Sequence, residues 1–125
     1  MEGYTINSDE KIFHWPISNK TYALYKHIVD LHDMMPKRYR PYLWEDMYKE
    51  AGYVMSHVIK AMKSSSPKTK NQTLAKVSEQ LSMLQVNIHL MYHLQAIAPS
   101  QYATIKSLID EIGRMTGGLM KYIRT

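Results

Sequence analysis

Six apolar residues, Leu74, Val77, Leu81, Leu84, Ile88 and Met91, follow one another at spacings of 3, 4, 3, 4 and 3. That repeat holds one stripe of side chains on a single face of an α-helix, as in a helix–helix seam. It predicts one long helix from about Thr69 to Ile97, roughly 40 Å at 1.5 Å per residue. A stripe of this length has to be covered, and other amphipathic helices are its natural cover.

The rest of the chain supplies them. Tyr25, Ile28, His32 and Met35, with Leu24 and Leu31 beside them, predict a first helix from about Ser18 to Met35. Ser18 is its expected N-cap and Pro36 its stop. Pro41 suits the first turn of a second helix, whose stripe is Trp44, Met47, Ala51, Val54, Met55, Val58 and Met62. KSSSPKTKNQ, residues 63–72, has turn chemistry throughout and reads as the next loop. Pro99, within the break APSQ at 98–101, opens a fourth helix carrying Ile105, Leu108, Ile112, Met115, Leu119 and Tyr122. No segment sustains the period-two alternation of a strand. The expected fold is all-α, an up-down four-helix bundle over residues 18–125. Residues 1–17 read as an N-terminal arm, which Phe13 and Trp15 tack onto the core or a neighbouring subunit.

The fourth helix contains a puzzle. Gly113, Gly117 and Gly118 interrupt it, although Ile109, Ile112 and Met115 keep its period. A glycine inside a helix costs roughly 1 kcal/mol relative to alanine. Gly113 and Gly117 lie four residues apart and share a face, where the missing side chains admit a close neighbour. They are expected at a helix–helix contact, within the bundle or between subunits. Arg114 is expected at the edge of that groove, paired to Asp110 or Glu111.

A length of 125 residues suits one domain. Without cysteine there is no disulfide framework, thiolate nucleophile or cysteine-based zinc site. The N-terminal residues are polar, and no apolar run approaches the roughly 18 residues of a membrane span. The expectation is a cytoplasmic protein that does not engage a membrane.

Charge is uneven. Residues 36–76 hold nine basic side chains (Lys37, Arg38, Arg40, Lys49, Lys60, Lys63, Lys68, Lys70 and Lys76) against Glu45, Asp46 and Glu50, leaving +6. The remainder carries seven basic and eight acidic residues. The middle stretch therefore holds the whole surplus, which suits a polyanion, an acidic protein surface or simply a solvated lysine face. In an up-down bundle Lys37, Arg38 and Arg40 fall at one end, and Lys60, Lys63, Lys68, Lys70 and Lys76 bracket the loop at the other. In a ring of subunits each cluster becomes a belt, where weak contacts multiply.

Catalytic and metal patterns are sparse. His89 and His93 stand four residues apart, but neither Glu-x-x-His nor His-Glu-x-x-His is present, so they read as polar contacts on a helix flank and no metal site is assigned. His32, between Asp30 and Asp33, reads as a surface helix end rather than an acid/base pair. No phosphate loop is present and no cofactor is expected. No Arg is followed by His at the spacing of helical ribonucleases, so that catalytic route is closed. Tyr39, Tyr42, Tyr48 and Tyr53 interleave with basic residues and suit helix boundaries or stacking on bases.

One stretch resembles a known family. Pro99, Gln101, Leu108-Ile109, Glu111-Ile112-Gly113-Arg114 and Gly117 match the last helix of the accessory variability determinant (Avd) proteins of diversity-generating retroelements. The basic connector MPKRYR, residues 35–40, and the long third helix ending IHLMYHLQAI are similar in character. The resemblance covers roughly residues 20–123. It implies a non-enzymatic four-helix bundle assembled as a pentameric ring with a basic surface. It further implies binding of a reverse transcriptase and of RNA and DNA, in support of mutagenic copying. Gly113 and Arg114 carry over as motif positions, and Lys37 and Arg38 as basic character. The related 23S rRNA intervening-sequence proteins supply the alternative, a structural oligomer that binds a protein partner without a direct nucleic-acid role.

Overall fold

The computed structural model describes residues 10–124, in which four α-helices are joined by short connectors and no strand occurs among the described residues. The helices are α1 (Pro16–Asp30), α2 (Glu45–Lys63), α3 (Pro67–His93) and α4 (Pro99–Arg124). Three of the four open on a proline, whose fixed φ and missing N–H suit the first helical turn.

Pro16 moves the start of α1 ahead of the predicted position. Trp15 takes the N-cap place, and Ser18 lies inside the helix, fully buried, its hydroxyl without a hydrogen-bond partner. Pro16 and Ile17, read as the last residues of the arm, thus begin the bundle. Of that arm, residues 1–9 lie outside the described residues. Glu10–His14 forms a 3-10 turn that leads into α1. Phe13 meets the exposed Tyr22 edge to face at 5.4 Å, and Trp15 packs against the core.

After α1 the chain makes a 3-10 turn (His32–Met34), and Met35 is extended, as a residue before proline prefers. A second 3-10 turn (Lys37–Tyr39) and a wide π turn (Arg40–Trp44) run straight into α2. The loop expected over 63–72 shrinks to Ser64–Ser66. Pro67 starts α3, and the Ser66 hydroxyl accepts from the Thr69 N–H at 3.3 Å. The residues after it are polar because they form the solvated first turns of a helix. At the start of α4, the Gln101 side chain accepts from the Ala98 N–H at 2.7 Å, the back half of a capping box.

The end of α3 is closed by a paired turn. The Ala96 N–H reaches Met91 O at 2.9 Å, and the Gln95 N–H reaches Tyr92 O at 3.0 Å, a Schellman arrangement. Its pivot is Gln95, at φ 58°, the one non-glycine residue with positive φ among the described residues. An L-residue there costs roughly 1–2 kcal/mol of steric strain, which glycine lacks. Gln95→Gly is therefore expected to raise stability by about 1 kcal/mol, and a thermal melt rising by a few degrees checks it.

Each helix packs on its neighbours in the chain, and α4 closes the ring against α1. The core is the predicted stripes brought together: Leu24 and Ile28 from α1, Met47, Ala51, Val54 and Val58 from α2, Val77, Leu84, Ile88 and Met91 from α3, and Ile105, Ile109 and Ile112 from α4. Met35, Met47 and Met91 fill the interior, each almost wholly buried. Trp44 ties the first connector down: its indole N–H donates to Ile28 O at 2.8 Å, and its ring stacks on Tyr48 at 5.1 Å. The Glu50 carboxylate accepts from Asn87 at 2.8 Å and 2.9 Å, bridging α2 to α3. Burial pushes the Glu50 carboxyl above its ordinary range, partly offset by that hydrogen bond. No helix among the described residues is long and apolar enough to cross a membrane.

Candidate nucleic-acid interface

The up-down topology sorts the basic residues between two ends. At one end lie the 31–44 connector and the 94–98 turn. They touch: Met34 and Pro36 line a cleft with Tyr92, His93, Gln95 and Gln101, and the Gln101 amide reaches the Met34 sulfur at 2.8 Å. At the other end lie Ser64–Ser66 and the start of α3. The finish of α4 lies there too, since Lys70 and Pro67 line a groove with Tyr122 and Ile123. The two ends are roughly 30–40 Å apart by helix length.

The loop-end cluster is the more open. Lys60, Lys63, Lys68 and Lys76 are exposed, and Lys70 is half-buried. Lys121, also exposed, joins them because α4 runs antiparallel to α3. Sequence reasoning missed Lys121, which lies far from the others along the chain. The up-down pairing of helices was the signal that places it there.

At the opposite end the three predicted basic residues divide. Lys37 is exposed. The Arg38 guanidinium lies 4.8 Å from the Tyr39 ring centroid, a cation–π contact that leaves its charge at the surface. Arg40 is turned inward as a tether. Its Nε donates to Met35 O at 3.2 Å and its Nη2 to Asp33 O at 3.3 Å, satisfying carbonyls of the turn it follows. Next to it, a hydrogen bond from the His32 ring at 2.8 Å holds the Asp33 carboxyl below the usual carboxylate range. His32 also packs edge-on to Trp44 at 4.6 Å, a structural use of the pair.

The interleaved tyrosines are mostly occupied. Tyr48 stacks on Trp44, Tyr53 stacks on His57 at 3.8 Å, and Tyr39 packs against the core beneath Arg38. Tyr42 is 76% exposed, and at the loop end Tyr122 is 79% exposed.

The glycines of α4 turn outward. A Cβ added at Gly113, Gly117 or Gly118 would meet nothing within 4 Å, so no helix of this chain uses them for close approach. Gly113 instead floors an open groove between α3 and α4, with Ser78, Ser82, Gln85 and Arg114 on its walls. The carboxylates expected to pair with Arg114 are held by lysines: Asp110 by Lys106 at 3.1 Å and Glu111 by Lys20 at 3.4 Å. Arg114 projects from the exposed face of α4. Of the two settings expected for the glycines, the contact within the bundle is not what this chain builds.

Among the described residues no three His, Asp or Glu side chains gather as a metal cage. What the geometry presents is a small all-α bundle with exposed lysines gathered at one end, a basic connector at the other, and three α4 glycines that no neighbouring helix approaches closely. The chain belongs to the bAvd-like family, whose pattern it matches over residues 16–123. Membership points to an accessory protein of diversity-generating retroelements, a family not known for enzymes. No curated protein matches the chain.

Proposed function

We propose that this protein is a non-enzymatic accessory subunit that holds a reverse transcriptase and nucleic acid together in support of mutagenic copying. The observation that carries this reading is the gathering of Lys60, Lys63, Lys68, Lys70 and Lys121 at one end of the bundle. Such a field attracts the phosphate backbone of RNA and DNA alike, without reading sequence. Lys37 and Arg38 offer a second, smaller contact at the far end. In a homopentamer, the assembly implied by the family resemblance, five copies of the loop-end cluster form a basic belt and gain through multivalency.

Assembly draws on the outer faces. Met83, Val86 and Leu90 form an exposed apolar stripe on α3, and the glycines leave α4 bare and open to close approach. Large apolar residues on one surface and a side-chain-free strip on another suit a head-to-tail contact, the kind that closes rings. The stripe on α3 also favours a second reading, a structural oligomer whose partner is a protein alone.

Binding of the purified protein to an RNA–DNA duplex at 50 and 200 mM salt separates the two. Affinity dropping steeply with salt, together with nuclease-sensitive recovery of the reverse transcriptase–nucleic acid complex, is expected here. Salt-independent binding, or a pull-down that recovers only protein partners whether or not nuclease is added, overturns it in favour of the second reading. Light scattering checks assembly: Gly113→Leu, whose Cβ would meet nothing within 4 Å in the isolated bundle, is expected to lower the subunit number, with circular dichroism as the folding control. An unchanged assembly removes Gly113 from the interface.

A further inference from the structure

Two imidazoles on the outer side of α3 converge. His89 and His93 are both exposed, and their Nε2 atoms lie 3.0 Å apart. The other ring nitrogen of His89, Nδ1, sits 3.3 Å from the Tyr102 hydroxyl on α4. Tyr102 is itself fixed by stacking on Tyr92, with ring centroids 4.4 Å apart. Exposed histidines one turn apart are free to point away from each other. Here the ring held by Tyr102 and its neighbour bring Nε2 to within hydrogen-bond distance of Nε2, close enough for one ion to bridge both.

That separation has a coordination meaning. An ion 2.0–2.1 Å from each nitrogen, the usual metal–imidazole distance, would see the 3.0 Å pair at an angle of about 91–97°. This is the cis angle of square-planar and octahedral sites, and it is tighter than the tetrahedral angle of structural zinc. With Nε2 given to a metal, the His89 ring carries its proton on Nδ1, where it donates to Tyr102. That is the outer-shell bond that fixes tautomer and orientation in metal-bound histidines. Among the described residues no third carboxylate or histidine completes a cage, so water fills the remaining positions.

We propose that His89 and His93 form a two-point chelate for a divalent late first-row metal ion, with Cu2+ bound most tightly. Imidazole suits this class of ion, and affinity for such a site peaks at copper along the divalent series. The bound ion clamps the last turns of α3 immediately before the strained Gln95 pivot and its cleft. The site stands apart from the lysine cluster and does not depend on nucleic-acid binding.

Calorimetric titration of the full chain with Cu2+ tests it, with electron paramagnetic resonance reading the ligands and a thermal melt reading the clamp. One equivalent is expected, with a two-nitrogen signature and a raised melting temperature. His93→Gln or His89→Ala is expected to weaken binding by at least ~10-fold and to erase the melting shift, and Tyr102→Phe to weaken it about 10-fold. His32→Ala and His57→Ala are expected to leave the titration unchanged. Both chelating side chains are exposed on a helix, so circular dichroism of these variants should match the parent. No binding, or equal affinity and stoichiometry in the His89→Ala/His93→Gln double variant, overturns the assignment.

Discussion

Reversing Lys60, Lys63, Lys68 and Lys70 to glutamate is expected to lower affinity for an RNA–DNA duplex by at least ~100-fold at 50 mM salt. Counterion release sets this scale: each phosphate neutralised contributes about 0.9 to the slope of log affinity against log salt. Losing up to four contacts flattens that slope by up to about 3.6, and the introduced carboxylates add repulsion. The fold should survive, because Lys60, Lys63 and Lys68 are exposed and Lys70 only half-buried. Fluorescence anisotropy across a salt series, with circular dichroism as the folding control, makes the measurement. Reversal of Lys37 and Arg38 provides the comparison, since it removes charge from the opposite end alone. An affinity and a salt slope that stay at parental values in the quadruple variant would sink the nucleic-acid reading.

Ile88→Ala is expected to destabilise the bundle by about 2–5 kcal/mol. Ile88 is fully buried in the α3 seam, one turn before Met91 ends it, and truncating it leaves a cavity among packed side chains from several helices. Total stability of a small domain is only about 5–15 kcal/mol, so this one change removes a large share of it. Urea unfolding should show a lower midpoint with an unchanged slope, because the surface exposed on unfolding hardly changes. The contrast lies on the same helix. Val86→Ala, at a position 60% exposed, is expected to change the isolated bundle by less than about 0.5 kcal/mol. A loss at Val86 that grows with protein concentration would instead mark the α3 stripe as covered in an assembly.

These two positions show what periodicity reveals. Ile88 belongs to the spacing of 3 and 4 that predicted α3, and each residue of that stripe is buried. Val86 breaks the same spacing and lies outside. Helix signals are local, since a side chain's face is fixed by its offset along 3.6 residues per turn. Four helices, their order and most of their core residues were therefore readable before any packing was known, although Tyr122, which the spacing put in the α4 stripe, is 79% exposed. Boundaries were less so. Ser18 has the chemistry of an N-cap, yet Pro16 competes for the start of the same helix and wins, which buries the serine. The 63–72 stretch has the composition of a loop, but a solvated first turn after Ser66 and Pro67 has that composition too.

The candidate site was legible as a charge imbalance but not as a place. Arg40 and Lys37 look alike in sequence, and only the turn between α1 and α2 directs the Arg40 donors onto the carbonyls of Asp33 and Met35. Lys121 carries no local mark at all and becomes part of the loop-end cluster through antiparallel helices. Gly113, Gly117 and Gly118 marked the family by their spacing, whereas a methyl group added at any of them would meet no atom of a neighbouring helix within 4 Å. By itself the sequence determined the helices, the seam that joins them and the surplus of positive charge, because periodicity and composition are properties of neighbouring residues. The tertiary structure decided which charges share an end, which arginine is spent on the backbone, that the glycines face outward and that two histidine nitrogens meet. Those are distances between parts of the chain that no local rule relates.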